Sequence, residues 1–198
     1  TYKMGFWSDA NIEPKRKFRW TLSIPAIGTD SLWMMKSVTK PSWNMSEHPH
    51  KFINHTFHYP GRVEWQPIEV TIVDSAKPID MSASFLQILR SSGYNFPDSL
   101  DHGSQTVTKK RATEAIGNEV VITQHGANMT EILDRWTLKN PFVTDVKTGE
   151  LDYEGEDLVE VSCTIIYDWA WMTYAGGLSV PGGDLDGVVP TIPAPVDV

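Results

Sequence analysis

The chain has 198 residues, with 17 Lys+Arg against 25 Asp+Glu and a formal net charge of −8. At 40% apolar and 21% charged residues it reads as a soluble globular protein, not disordered. It is no general binder of nucleic acid or anionic membrane, which needs clustered Lys/Arg. A single Cys excludes an internal disulfide and an all-cysteine metal centre, no apolar run approaches the ~18 residues of a spanning helix, and the first residues show no signal-peptide core.

Lys17–Ile24 alternates Phe18, Trp20, Leu22 and Ile24 with Lys17, Arg19, Thr21 and Ser23, the period of a half-buried strand. Met34–Thr39, Phe52–Tyr59 and Glu64–Val73 read as further strands. Pro60 and Gly61 mark a turn between the last two, and His48 and His50 flank Pro49 in a loop. One helix is expected after Asp80: Met81, Phe85, Ile88 and Leu89 recur at helical spacing, and Gly93 stops it. The polar stretch from Tyr94 to Gly117 reads as a long connection containing Lys109, Lys110 and Arg111, with a short helix near Arg111–Ile116.

Glu119–Gln124 and Ile132–Leu138 are the next strands, and Asn140 and Pro141 mark a turn. Val159–Trp169 extends the alternation, with Val159, Val161, Cys163, Ile165, Tyr167 and Trp169 on one face. Its other face carries Glu160, Ser162, Thr164, Ile166 and Asp168. The last 23 residues hold five Gly and four Pro and cannot build a core. Residues 1–175 are therefore expected to form a single β domain, and 176–198 a Gly/Pro-rich tail. Charge is uneven along the chain: residues 145–198 hold 11 acids and one base, Lys147, while residues 1–144 carry a net of +2. Eight Trp among 21 aromatics exceed what a core of this size demands and suit subunit interfaces.

Candidate chemistry is thin. His48, His50, His55 and His58 could ligate Zn²⁺ or Cu²⁺, but strand parity sends His55 and His58 to opposite faces, so no metal is assigned. Cys163 sits mid-strand among Val161 and Ile165, where a thiol acts as a small hydrophobe rather than a nucleophile. Asp152, Glu154, Glu156, Asp157 and Glu160 could supply a carboxylate pair beside sugar-stacking Trp, as in a carbohydrate-binding or glycosidase-like β-sandwich, though an acidic turn looks the same. Phosphate loops, dinucleotide fingerprints, nucleophile elbows and zinc-protease motifs are missing. The chain is therefore read as neither an enzyme nor a cofactor binder.

Three segments resemble the tail tube proteins of contractile-tailed, T4-like bacteriophages: Glu13–Ile24, a basic-aromatic opening strand; Val38–Asp74, a long hairpin followed by a strand ending in Asp; and Asp134–Ala170, a Trp/Leu strand, a Pro-containing turn, an acidic turn and a strand closing on Tyr-Asp-Trp. The helix after Asp80 falls where that family has its single helix. The resemblance implies a mainly β fold, two packed antiparallel sheets forming a barrel-like sandwich with one flanking α-helix. It further implies homo-hexameric rings stacked into the inner tube of a tail, within a contractile sheath, with baseplate and tape-measure proteins as partners. DNA would pass as transiting cargo during ejection, in a virion assembled in host cytoplasm; tubes of other contractile injection systems share the pattern. By position, Trp43, Met45, Phe52 and Ile53 are then subunit-contact candidates. Glu69, Thr71, Ser162 and Thr164 are lumen-wall candidates, since an acidic or hydroxyl lining lets phosphates slide past.

Overall fold

The computed structural model describes residues 15–28, 34–77, 79–96, 106–127, 130–174 and 179–180. Its elements, in chain order, are β1 (Trp20–Ser23), β2 (Met35–Val38), β3 (Ser42–Phe52), β4 (His55–Gln66), β5 (Ile68–Val73), α1 (Met81–Ser91), α2 (Lys109–Ile116), β6 (Glu119–His125), β7 (Ile132–Lys139), β8 (Phe142–Lys147), β9 (Glu160–Ile166), β10 (Trp169–Tyr174) and β11 (Ser179–Val180). Three sheets result, in the orders β1-β6-β7-β10-β11, β2-β5-β9-β8 and β3-β4. All their pairings are antiparallel.

The core lies between the first two sheets. In β5, Ile68, Val70 and Ile72 are wholly buried while Glu69 stays exposed; in β9, Val161, Cys163 and Ile165 point the same way. Leu22, Val120, Ile122 and Leu138 meet them from the opposing sheet, so the inward-facing residues of five strands close one apolar layer. Met81, Phe85 and Ile88 of α1 and Ile116 of α2 seal its flank.

Both helices begin as their caps dictate. The Asp80 carboxylate accepts from the Ala83 N–H at 2.9 Å, and Asp74 accepts from the Met81 N–H and the Ser82 hydroxyl. Thr108 accepts from the Arg111 N–H, and Gly117 ends α2 with φ of 108°, the left-handed conformation a glycine adopts freely.

The mainly β sandwich matches the expected class. Several expectations need correction. Among the described residues the two packed sheets stay open and do not close into a barrel. The short helix expected near Arg111–Ile116 is present as α2, so among the described residues the flank holds two helices where the family resemblance implied one. Pro60 and Gly61 lie inside β4, where the register shifts between Met45 and Glu47, and form a bulge rather than a turn. The chain reverses instead at residues 53–54, which places His48 and His50 within β3.

The strand expected over Glu64–Val73 breaks at Pro67, which has no N–H for a ladder. That expected over Val159–Trp169 ends at Ile166; the Asp168 N–H bonds to the Lys139 carbonyl at 3.1 Å, and Trp169 enters the other sheet. Within the expected tail, Ser179 and Val180 pair with β10; residues 176–178 and 181–198 lie outside the described residues.

Candidate assembly surfaces

The β3–β4 hairpin is the least covered element. Every residue of β3 is exposed, and of β4 only Thr56, Gly61 and Trp65 are partly covered. At its root Trp65 packs against Tyr167, ring centroids 5.9 Å apart. Register sorts the rest by face, since directly opposed residues point the same way. One face carries Trp43 opposite Trp65 and Met45 opposite Val63 near the root, then Pro49 opposite His58 and Lys51 opposite Thr56. The other carries His48 opposite Tyr59, His50 opposite Phe57 and Phe52 opposite His55 toward the tip. The four contact candidates Trp43, Met45, Phe52 and Ile53 are all exposed, Ile53 by 85%, but they do not form one patch. Trp43 and Met45 share the root face, Phe52 lies on the distal face, and Ile53 occupies the turn.

Exposed aromatic Trp43, Phe52, Phe57 and Tyr59, between 45% and 60% open, join Met45, Ile53 and Val63. They are divided between the faces, with Trp43, Met45 and Val63 on one, Phe52, Phe57 and Tyr59 on the other and Ile53 in the turn, so each face offers less apolar area than the ~800 Å² that one partner gives to a standard protein contact. A lone two-stranded hairpin is marginal in water, and one this apolar calls for a covering partner.

The lumen-wall candidates do converge. Ser37, Thr71, Ser162 and Lys147 lie side by side across β2-β5-β9-β8, and Glu69, Thr164 and Asp145 form the neighbouring row. Lys36 pairs with Glu160 on the same face, and Lys147 reaches Asp145 at 3.7 Å. The result is a continuous hydroxyl-rich wall with acids and bases interleaved, rather than an acidic one. The acidity of the C-terminal part lies elsewhere. Glu150, Asp152, Glu154, Glu156 and Asp157 occupy the exposed excursion between β8 and β9, alongside exposed Leu151, Tyr153 and Leu158.

The other candidates resolve structurally. Glu160 goes to Lys36, away from its neighbours in the acidic turn, where Asp152 accepts from the Glu154 N–H at 3.1 Å. Lys109 bonds both carboxylate oxygens of Asp168, at 2.7 and 2.6 Å, and Lys110 lies 3.8 Å from Glu114, so the basic triplet serves its own fold. His58 faces Glu47 at 3.3 Å, opposite the other three imidazoles. Among the described residues no group of three His, Cys, Asp or Glu is arranged to hold a metal. Burial pushes the Cys163 thiol up to about 12, leaving no thiolate at neutral pH.

Two features escaped the sequence. Asp134, almost wholly buried, takes Lys15 at 2.6 Å and Lys40 at 3.2 Å, which pins the segment before β1 across the sheet end. Its place in the strand pattern gives no hint of two cations from distant segments. The second is an apolar groove of about 500 Å³ between α1, α2 and β8, lined by Phe85, Leu86, Leu89, Val107, Val143 and Val146. The exposed leucines of α1 were its one sequence signal.

With its two packed antiparallel sheets, helical flank and projecting hairpin, the chain shares its fold with tube and tube-terminating proteins of contractile injection systems. No protein-family model matches the chain, and no curated protein matches it. Among solved structures, the anti-feeding prophage cap that terminates its tube superposes with a TM-score of 0.58 at 15% identity, over 87% of this chain and 100% of that one. The sheath-tube complex of the PVC extracellular contractile injection system matches with 0.55 at 16% identity, over 81% and 92%. The sheath/tube terminator of the same system gives 0.55 at 19%, over 83% and 99%. At such identities the shared property is the fold.

Proposed function

We propose that the chain is a structural subunit of the inner tube of a contractile tail, six copies closing into a ring and rings stacking into a conduit. The hairpin carries this reading: it exposes apolar surface that the subunit cannot cover itself, on a fold matched across nearly the whole chain by tube-type proteins. Ring closure would pair the open edges of both sheets, removing the unpaired backbone that invites aggregation. Trp43, Met45, Phe52 and Ile53 are its contact residues. The wall of Glu69, Thr71, Ser162 and Thr164 faces the bore, where balanced charge and hydroxyls give DNA no cationic surface to grip. Residues 1–175 act as the ring-forming domain, with 176–198 as an appendage. Sheath, baseplate and tape-measure proteins are the partners, in a virion tail assembled in host cytoplasm. No described helix is long and apolar enough to cross a membrane.

Negative-stain microscopy of the purified chain tests the proposal: hollow tubes or rings of uniform bore are expected, and a monomer under all conditions overturns it. A second reading, the tube terminator, draws support from the likeness to two terminating proteins. Single rings that never elongate, rather than tubes, would favour it. Carbohydrate binding predicts sugar-dependent quenching of Trp fluorescence across a glycan panel.

A further inference from the structure

Between β1 and β2, the edge strands of the two packed sheets, runs a cleft of about 560 Å³ with an apolar floor and a cationic rim. Trp20 and Val38, packed on the core, form the floor, and Lys15, Lys17, Lys36 and Lys40 stand around it. Lys15 and Lys40 share Asp134, and Lys36 takes Glu160. Lys17 is exposed and has no ion pair among the described residues. Four lysines against two carboxylates leave the rim positive.

The excursion between β8 and β9 is the chemical complement of this cleft. Residues 150–158 hold five acids and no base, all exposed and none ion-paired among the described residues. Leu151, Tyr153 and Leu158 stand uncovered among them. Acids beside bare apolar side chains suit a cleft that is basic at its rim and apolar at its floor.

Topology says which copy supplies the excursion. β2 and β8 are opposite edges of one antiparallel sheet and run in opposite directions, so β8 of one copy beside β2 of the next continues the antiparallel order. The excursion leaves β8 after Lys147 and enters β9 at Glu160, the residue that holds Lys36. It therefore emerges at the Lys36 end of the sheet, the end at which a neighbour's cleft would open.

We propose that the acidic excursion of one copy docks in the lysine-rimmed cleft of the next. The inference rests on the ring reading above and adds the pair of surfaces that sets the direction around the ring. Two different patches on one subunit make the contact heterologous, the kind that repeats around a ring instead of stopping at a dimer. Opposite charge steers the approach and rejects the wrong pairings, cleft to cleft and excursion to excursion.

The test is sedimentation velocity on variants of the full chain, alone and mixed, with folding checked by far-UV circular dichroism. E154K/E156K/D157K reverses the excursion and keeps Asp152, whose carboxylate accepts from the Glu154 N–H. K17E/K36E reverses the cleft and keeps both lysines of Asp134. Each variant alone should lose at least ~10-fold in association constant against wild type. An equimolar mixture should recover most of the loss, because each variant then meets opposite charge at both of its surfaces. A mixture no stronger than its parts, or either variant associating as wild type does, overturns the proposal and leaves tube assembly standing. Recovery in a chain carrying all these substitutions, with none in the mixture, means that the excursion closes on its own cleft, and overturns it too. K17E alone disturbs no ion pair of the fold and decides the matter if K17E/K36E unfolds: it should weaken association ~2- to 5-fold, and an unchanged constant overturns the proposal. Wild type that is monomeric under all conditions overturns the assembly reading and this inference with it.

Discussion

Ile53 takes the first position of the hairpin turn with φ of 52°, a conformation in which a β-branched side chain crowds its own backbone. Glycine would adopt it freely, at a saving on the order of 1–2 kcal/mol. An exposed isoleucine kept in a strained place points to a contact for the tip. Ile53→Gly is therefore expected to leave thermal stability unchanged or raised while weakening self-association by light scattering; unaltered association would remove Ile53 from the interface. Cys163 marks the opposite extreme, buried in β9 with its thiol pushed up to about 12 by desolvation. Ellman's reagent should find no reactive thiol in the native protein at pH 8 and one per chain in denaturant.

Between elements, Asp168 is a joint. Where β9 hands over to β10, its carboxylate accepts from Lys109 at the start of α2 and, at 2.8 Å, from the Asn140 amide in the β7–β8 turn. The hydrogen bonds from Lys109 and Asn140 hold this carboxyl below the usual aspartate range, against a smaller opposing effect of desolvation. A proton affinity lowered by folding contributes stability that is full above about pH 4 and fades as pH falls through the folded-state value. With its side chain 37% exposed, water screens the pair, so Asp168→Asn should cost about 1 kcal/mol or less at pH 7. Thermal melts from pH 6 to 2 should show wild type and variant converging in acid; a gap that persists at pH 2 would contradict this. Asp134 is held more tightly, buried between Lys15 and Lys40. Because those cations stay half exposed, Asp134→Asn should cost less than a fully buried pair, about 1–3 kcal/mol, read as a shifted urea midpoint.

For the whole molecule, the core and the hairpin are separable. None of the wholly buried side chains belongs to β3 or β4. Replacing residues 46–61 by an Asn-Gly turn should therefore leave far-UV circular dichroism and cooperative unfolding intact and abolish tubes in the microscope. Tubes that survive the deletion would show that the hairpin is no arm.

Period-2 alternation was enough for β5 and β9 because their burial has two sides: Val70 and Cys163 face the core, Thr71 and Ser162 face outward. The helix after Asp80 was equally legible, since capping and spacing are local. The hairpin turn was not, because Ile53-Asn54 carries no Gly, whereas Pro60-Gly61 carries the usual turn residues yet forms a bulge. The break at Asp168 was hidden for a different reason. Alternation continues through Tyr167 to Trp169, while the partners that turn the chain, Lys109 and Asn140, lie 59 and 28 residues away.

Composition and alternation, with local capping, thus dictated a mainly β domain and its inward and outward residues, because burial acts on each strand separately; the sandwich of two sheets came from the family resemblance. Pairing between distant segments set which strands share a sheet and which histidines share a face. It also placed the acids of residues 150–157 in an exposed loop instead of the polar wall. Register and cross-chain ion pairs depend on loops closing in three dimensions, and that information is not carried by any one stretch of the chain.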